Sequence, residues 1–385
     1  MLRNGLMRTR IRYSVGVAIV FFLVGLSGCV TVAKRDLDQV GRSARTLVFP
    51  PPPDEPRFVF ERAIRNSADV VPEADESALK RALTGGGGVS GEALAKPYAI
   101  AVFQGKIFVS DSVGRTVRVF DVPARNYYVI GDEDGDGRIS KPLGIDVDGK
   151  GNLYVADATL KQILIFDSAG KFLRKFGGPK FFERLSSVTV DETGERVYVV
   201  DIGGVSSEKH MVRVFNGVSG EHLFDIGKRG SGDGEFNLPR DVAIGKDGRI
   251  YVVDGGNFRV QIFDKSGKFL KSFGSVGKQL GNFARPKEIA TDRDGNVYVA
   301  DTAFGNIQIF TAEGELLMYI GERSEQDQPA GYMLPSGVAV DEDGRIYFVD
   351  QWFARIDIFR PYALKEGDGY LVRKVAAPVA GKSKP

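Results

Sequence analysis

The chain has 385 residues, 26% of them charged, with a formal net charge of +2 and 48 glycines. That length suits one large all-β domain or two smaller ones, and so balanced a charge offers little to a nucleic-acid backbone. Cys29 is the only cysteine, which excludes an internal disulfide framework.

Residues 1–28 hold Arg3, Arg8, Arg10 and Arg12, no acidic residue, and an apolar run from Val15 to Leu26. The run is shorter than the ~20 residues that span a bilayer, and with its basic flank it reads as a secretory signal. Without those four arginines, 48 basic residues face 50 acidic ones, a net of −2. Leu26-Ser27-Gly28-Cys29 resembles the lipobox of bacterial lipoproteins, an aliphatic residue and two small ones before Cys. The resemblance implies that Cys29 becomes the acylated first residue of a protein held at the cell envelope. Each buried CH₂ of such chains contributes about 0.8 kcal/mol. Val30 rather than Asp follows the cysteine. By the rule of enteric-type bacteria this favours the outer membrane.

Residues 29–56 read as a tether ending in Pro50-Pro51-Pro52-Pro53, stiff in polyproline II. Residues 57–62 (RFVFER) form a short strand with no partner nearby in sequence. Residues 63–96 read as a linker, with a short helix expected at 74–83 and a break at Gly85–Gly88.

From 97 to 361 one pattern returns six times. An apolar run ends in Asp at Asp111, Asp157, Asp201, Asp254, Asp301 and Asp350, spaced 46, 44, 53, 47 and 49 residues apart. A second run follows each: VRVF, ILIF, VRVF, VQIF, IQIF and IDIF. Most copies open with Pro and an apolar strand and close with a run such as Phe269-Leu270-Lys271-Ser272-Phe273. Alternation with β-branched and aromatic content predicts four strands per copy, a to d. Asp247-Gly248, Asp294-Gly295 and Asp343-Gly344 supply hairpin turns between a and b. Four-stranded units at this period cannot bury their faces alone, and stacking them radially gives a propeller.

The pattern P-x-G-I-A-V-D, then D-G-N-I-Y-V-A-D, R-I-Q-I-F-D and G-K-F-L resembles the NHL repeat, and residues 97–361 resemble six copies. With the lipobox and tether, the chain resembles bacterial NHL-repeat, six-bladed β-propeller lipoproteins. The expected fold is all-β, monomeric, with a tail at 362–385. The sixth copy reaches Pro361 after three strands, so 57–62 is expected to supply its strand d, with Tyr370–Val375 as a competing candidate.

The b–c and d–a loops should share one face, and loops over a fixed scaffold usually carry function. The d–a connections at 226–237, 274–284 and 321–333 are long, polar and Gly-containing. On the d–a connection of the first copy, Asp132 to Ser140 matches the first nine positions of an EF-hand-type calcium loop. Asp132, Asp134, Asp136, Arg138 and Ser140 would be its ligand positions, with Ile139 after the glycine turn. Leu143 stands where a bidentate Glu belongs, so the alternative is a plain acidic turn. Phe258, Phe304, Trp352 and Phe353 fall just after the strand-b Asp of copies four to six. They form either a contact patch or loop plugs folded inward. His210, on the long 201–211 loop, joins this candidate contact set. The recurring Asp residues look like a ring of carboxylates, but recurrence points to turns that need backbone N–H acceptors.

Two histidines, His210 and His222, cannot by themselves fill a zinc site. The expected function is therefore an envelope-anchored propeller that binds or scaffolds a protein or glycan partner. The alternative is a metal-dependent hydrolase or lyase, lactonase-like or amidating-lyase-like, whose motifs find no residue-by-residue match here.

Overall fold

The computed structural model describes residues 46–71, 91–204 and 206–372. The signal, Cys29, the tether up to residue 45, the helix expected at 74–83 and residues 373–385 lie outside the described residues. The expected all-β architecture is present: six sheets of antiparallel strands, in a propeller arrangement. Blade 1 consists of Pro97–Phe103 (a), Lys106–Asp111 (b), Thr116–Asp121 (c) and Asn126–Ile130 (d). Blades 2 to 5 repeat the order within 142–177, 185–226, 239–273 and 286–320, and blade 6 uses 335–340, 346–350 and 355–361 for a to c. Strand a of each blade lies beside strand a of the next, and Pro335–Val340 lies beside Pro97–Phe103, so the ring closes.

The sequence pattern follows from each strand's place. Strands b and c are sandwiched between neighbouring blades, so Leu153–Asp157 and Asn306–Phe310 are buried at every residue. Strand d lies on the rim and alternates, as His222–Ile226 does between half-buried and exposed until Ile226 is buried.

Blade 6 is completed from the other end of the chain. Phe58–Ile64 pairs antiparallel with Arg355–Pro361, placing Phe60 opposite Phe359, and takes the strand-d position. Tyr370, Leu371 and Val372 form turn instead. Val48–Phe49 adds a fifth strand outside it, with the Phe49 and Phe60 rings packed edge-on to Phe359 at 5.6 and 5.8 Å. The folded part therefore begins before the predicted end of the tether, because these rings bury apolar surface on the last blade.

The d–a connections, long and polar in sequence, carry a packing device. Three residues before each strand a sits a buried apolar side chain: Leu94, Ile139, Phe182, Phe236, Phe283 and Tyr332. Each falls in a different hydrophobic cluster between blades. Burying a side chain of this kind contributes about 1.5–3 kcal/mol. Gly274, at φ +83°, ends strand d beneath one of them, and a Cβ there would sit 2.3 Å from the Phe283 ring. The long connections are thus wedges first and surface second.

Candidate functional site

Antiparallel order puts the b–c and d–a loops on one face and the a–b turns on the other. On the first face, all six strand-end Asp residues are fully buried. Asp301 accepts from the backbone N–H groups of Ala284 and Arg285 in the incoming connection, at 2.8 and 3.0 Å. It also accepts from Ala303 and Phe304 in its own b–c loop, at 2.9 and 3.1 Å. Asp157 and Asp350 make the same four bonds. The carboxylates are fasteners between two loops. Burial works against the charge of Asp111, but three backbone N–H donors and Arg118 hold its carboxyl below the usual value.

Blade 4 departs from this pattern, and the departure explains His210. Asp254 accepts the Asn237 N–H, but the next amide, Leu238 N–H, donates to His210 Nδ1 at 3.2 Å. The imidazole is 1% exposed, and its Nε2 lies 3.4 Å from the Gly204 carbonyl. With Nδ1 accepting, the proton belongs on Nε2. His210 thus fastens blade 3 to blade 4 and presents no surface to a partner, which corrects its placement in the contact set.

The Asp fasteners also fix the backbone that carries a basic rim. Lys96, Lys141, Arg184 and Arg285 each donate a backbone N–H to one of them, just before strand a begins. Arg240 and Lys287 follow on strand a of blades 4 and 5. Among the described residues, no carboxylate lies within ion-pair distance of any of these six. Lys287 reaches over blade 6 to place Nζ 4.1 Å from the Tyr98 ring centre. Loss of water at the axis, with Arg184 and Arg285 nearby, lowers the Arg240 guanidinium. Burial, with Arg240 and Lys96, brings the Lys287 ammonium down to about 8. Nearby cations without ion-paired carboxylates make an anion-attracting mouth, although Glu288 and Asp241 act on Lys287 from within the channel.

The sequence-predicted residues divide around this mouth. Trp352 stands out from the b–c loop of blade 6 with 65% of its surface exposed. Phe258 packs on an inter-blade core instead. Phe304 and Phe353 are half-buried, and the Arg355 guanidinium lies 5.3 Å from the Phe353 ring centre. Of the four aromatics, only Trp352 is a free contact surface. Val113, Val276 and Leu280, which the sequence reading passed over, are exposed on loops of the same face.

The residues of the expected calcium loop do not converge. Asp134 pairs with Arg138, and Asp136 Oδ1 pairs with Lys175 Nζ at 2.8 Å. Asp132 is exposed, and the Ser140 N–H is bound to Asp157. Ile139, which completes the motif in sequence, is the inter-blade wedge, and its N–H donates to the Gly131 carbonyl at 2.9 Å. Among the described residues, no three His, Cys, Asp or Glu side chains are grouped to hold a metal ion. The likeness comes from a Gly-containing connection that must bury one aliphatic residue.

A second site was missed altogether. A cavity of about 850 Å³ runs along the propeller axis, lined by strand a and the a–b turns, and contains Asp146, Asp241 and Glu288. Thr189 Oγ1 donates to Asp146 and Ser187 Oγ to Asp241, each at 2.5 Å. The Ile289 N–H also donates to Asp241 at 2.9 Å. Burial raises both carboxyls to about 6. Burial beside Asp241 pushes Glu288 well above the usual range. Six-fold comparison could have found Asp241 and Glu288, because they break an otherwise small row: Ala99, Gly144, Ser187, Asp241, Glu288 and Gly337.

Residues 236–263, from the blade 4 wedge to the end of its strand c, match the family model for the NHL repeat. The chain is a six-bladed propeller that carries NHL repeat sequence. NHL repeat-containing protein 3 of Mus musculus is 36% identical over 87 residues, 23% of this chain and 24% of that protein. Protein brain tumor of Drosophila melanogaster is 32% identical over 136 residues, 34% of this chain and 12% of that protein. The matches thus span a quarter or less of these relatives. Among solved structures, a Bacteroides thetaiotaomicron protein of unknown function aligns with TM-score 0.57 and 18% identity, over 78% of this chain and 76% of that one. A gluconolactonase of Xanthomonas campestris aligns with TM-score 0.53 and 16% identity, over 78% and 98%. At such identities the likeness is one of fold.

Proposed function

We propose that this NHL propeller is a binding module, held at the cell envelope through a lipid on Cys29, that presents its b–c and d–a face to an acidic protein or glycan. The observation that carries the reading is the mouth formed by Lys96, Arg184, Arg240, Arg285 and Lys287, which have no ion-paired carboxylate among the described residues, with exposed Trp352 on the same face. Cationic mouths speed encounter with acidic partners, and Trp is favoured at hot spots. Among the described residues no helix is long and apolar enough to cross a membrane. The test is capture from detergent-solubilised envelope with the full chain as bait. Arg240→Glu with Arg285→Glu should abolish a salt-sensitive partner while leaving the melting temperature unchanged. Capture unaffected by both charge reversal and salt would refute the reading. Cys29→Ala should move the protein from the membrane to the soluble fraction.

The alternative, a channel hydrolase or lyase that uses a metal, finds a poor fit in the donor set. Asp146 and Asp241 already accept from Thr189, Val190, Ser187 and Ile289. Metal content of the purified protein, with lactone turnover, tests it.

A further inference from the structure

The axial cavity reaches the a–b face, where Gln104, Glu192, Lys246, Arg293 and Glu342 rim it. We propose that this channel binds a small organic cation, an ammonium-bearing molecule, with Glu288 as its inner anchor. Glu288 is the third residue of strand a, beside Lys287 of the mouth, and the channel it lines continues from there to the a–b turns.

The repeats supply a built-in control. At the position of Glu288 on strand a, the other blades carry Ala99, Gly144, Ser187, Asp241 and Gly337. A channel wall therefore needs only a small residue there. Serine and aspartate are explained, because Ser187 donates to Asp241, and Asp241 also receives the Ile289 N–H from blade 5. This joins three neighbouring blades. Glu288 joins nothing. Its side chain lines the cavity at 8% exposure, and among the described residues no hydrogen bond or ion pair satisfies its carboxyl. Lys287, next in the chain, is turned to the Tyr98 ring instead. A carboxyl that opens only onto a channel, with no protein partner, is costlier than the small residues of the other blades, and a residue kept against stability points to binding.

The charge of the cavity selects the ligand class. Asp146 and Asp241, raised only to about 6, are ionised at neutral pH. Burial and then the Asp241 charge push the Glu288 carboxyl upward, against the pull of Lys287, and a bound cation would offset that push. An ammonium group supplies both the positive charge and the N–H donors that this carboxyl lacks. The cavity volume falls within the ordinary range for small-molecule sites, about 300–1,000 Å³.

The experiment uses the full chain in detergent at neutral pH, with putrescine and glucosamine as probes and 1,4-butanediol as the neutral counterpart of putrescine. Each is followed by thermal shift and by calorimetry. The amines should raise the melting temperature, since a ligand bound to the native state stabilises it, and butanediol should not. Glu288→Ala, which copies blade 1, should raise the melting temperature of the free protein and weaken amine binding at least about tenfold. Absence of any amine effect at about 10 mM, or an equal effect of butanediol, overturns the proposal. So does a lower melting temperature for Glu288→Ala, which would make Glu288 a structural residue.

Discussion

Replacing Asp301 by Ala tests the claim that the carboxylate ring is structural. Asp301 has no solvent exposure, and four backbone N–H groups from two loops point at it. Hydrogen bonds to a charged acceptor contribute about 1.5–3 kcal/mol each. The terms are not additive, since water enters once the loops part. Loss of a buried network of this kind typically costs about 3–5 kcal/mol. Asp301→Asn should cost less, about 2 kcal/mol, because an amide oxygen can replace Oδ1, which receives Ala303 and Phe304. Its NH₂ would then face the Ala284 N–H that now donates to Oδ2. Urea unfolding followed by the single tryptophan measures the global effect. Hydrogen exchange at residues 284, 285, 303 and 304 measures the local one. A loss below about 1 kcal/mol for the Ala variant, with protection at those amides intact, would refute the fastening role and return the ring to the list of chemical sites.

Three further outcomes are expected. Asp241 titrates near 6 in the fold against an ordinary 3.8. Its protonated form is thus favoured by folding, and its contribution, complete below pH 3.8, is lost as pH rises through 6. Two units correspond to at most about 3 kcal/mol. Asp241→Asn should flatten the fall in urea midpoint between pH 4.5 and 7.5, and an unchanged slope would count against the assignment. Deleting residues 46–64 removes strand d of blade 6 and exposes the edge of Arg355–Pro361. It should yield aggregated or protease-sensitive protein by size-exclusion chromatography and limited proteolysis; a compact monomer would show that closure does not depend on this strand. His210→Ala should lower stability by about 1–3 kcal/mol without changing partner capture. Trp352→Ala should do the reverse, and the opposite pair of results would overturn the placement of both residues.

What could be read from the chain depended on repetition. Six copies made the strand-b Asp recognisable as structure, and Pro361 ending the sixth copy made a missing strand visible. The same repetition held two signals that passed unread. The residue three before strand a is always apolar, as in Ile139-Ser140-Lys141-Pro142 and Phe283-Ala284-Arg285-Pro286. Recognising that register assigns Ile139 to packing and removes the main support for a calcium loop. The row from Ala99 to Gly337 would have picked out Glu288. His210 was not legible, because its partner, the Leu238 N–H, lies 28 residues on in another blade.

The sequence by itself determined the blade, the number of blades and the strand order, because alternation, turn glycines and terminal Asp residues act over a few neighbours. Only the tertiary structure decided which side chains share a surface. Lys96, Arg184, Arg240, Arg285 and Lys287 come from four blades, and Asp146, Asp241 and Glu288 from three. They meet because radial stacking brings the first strand of every blade to one axis. The basic mouth and the acidic channel exist only where the ring closes.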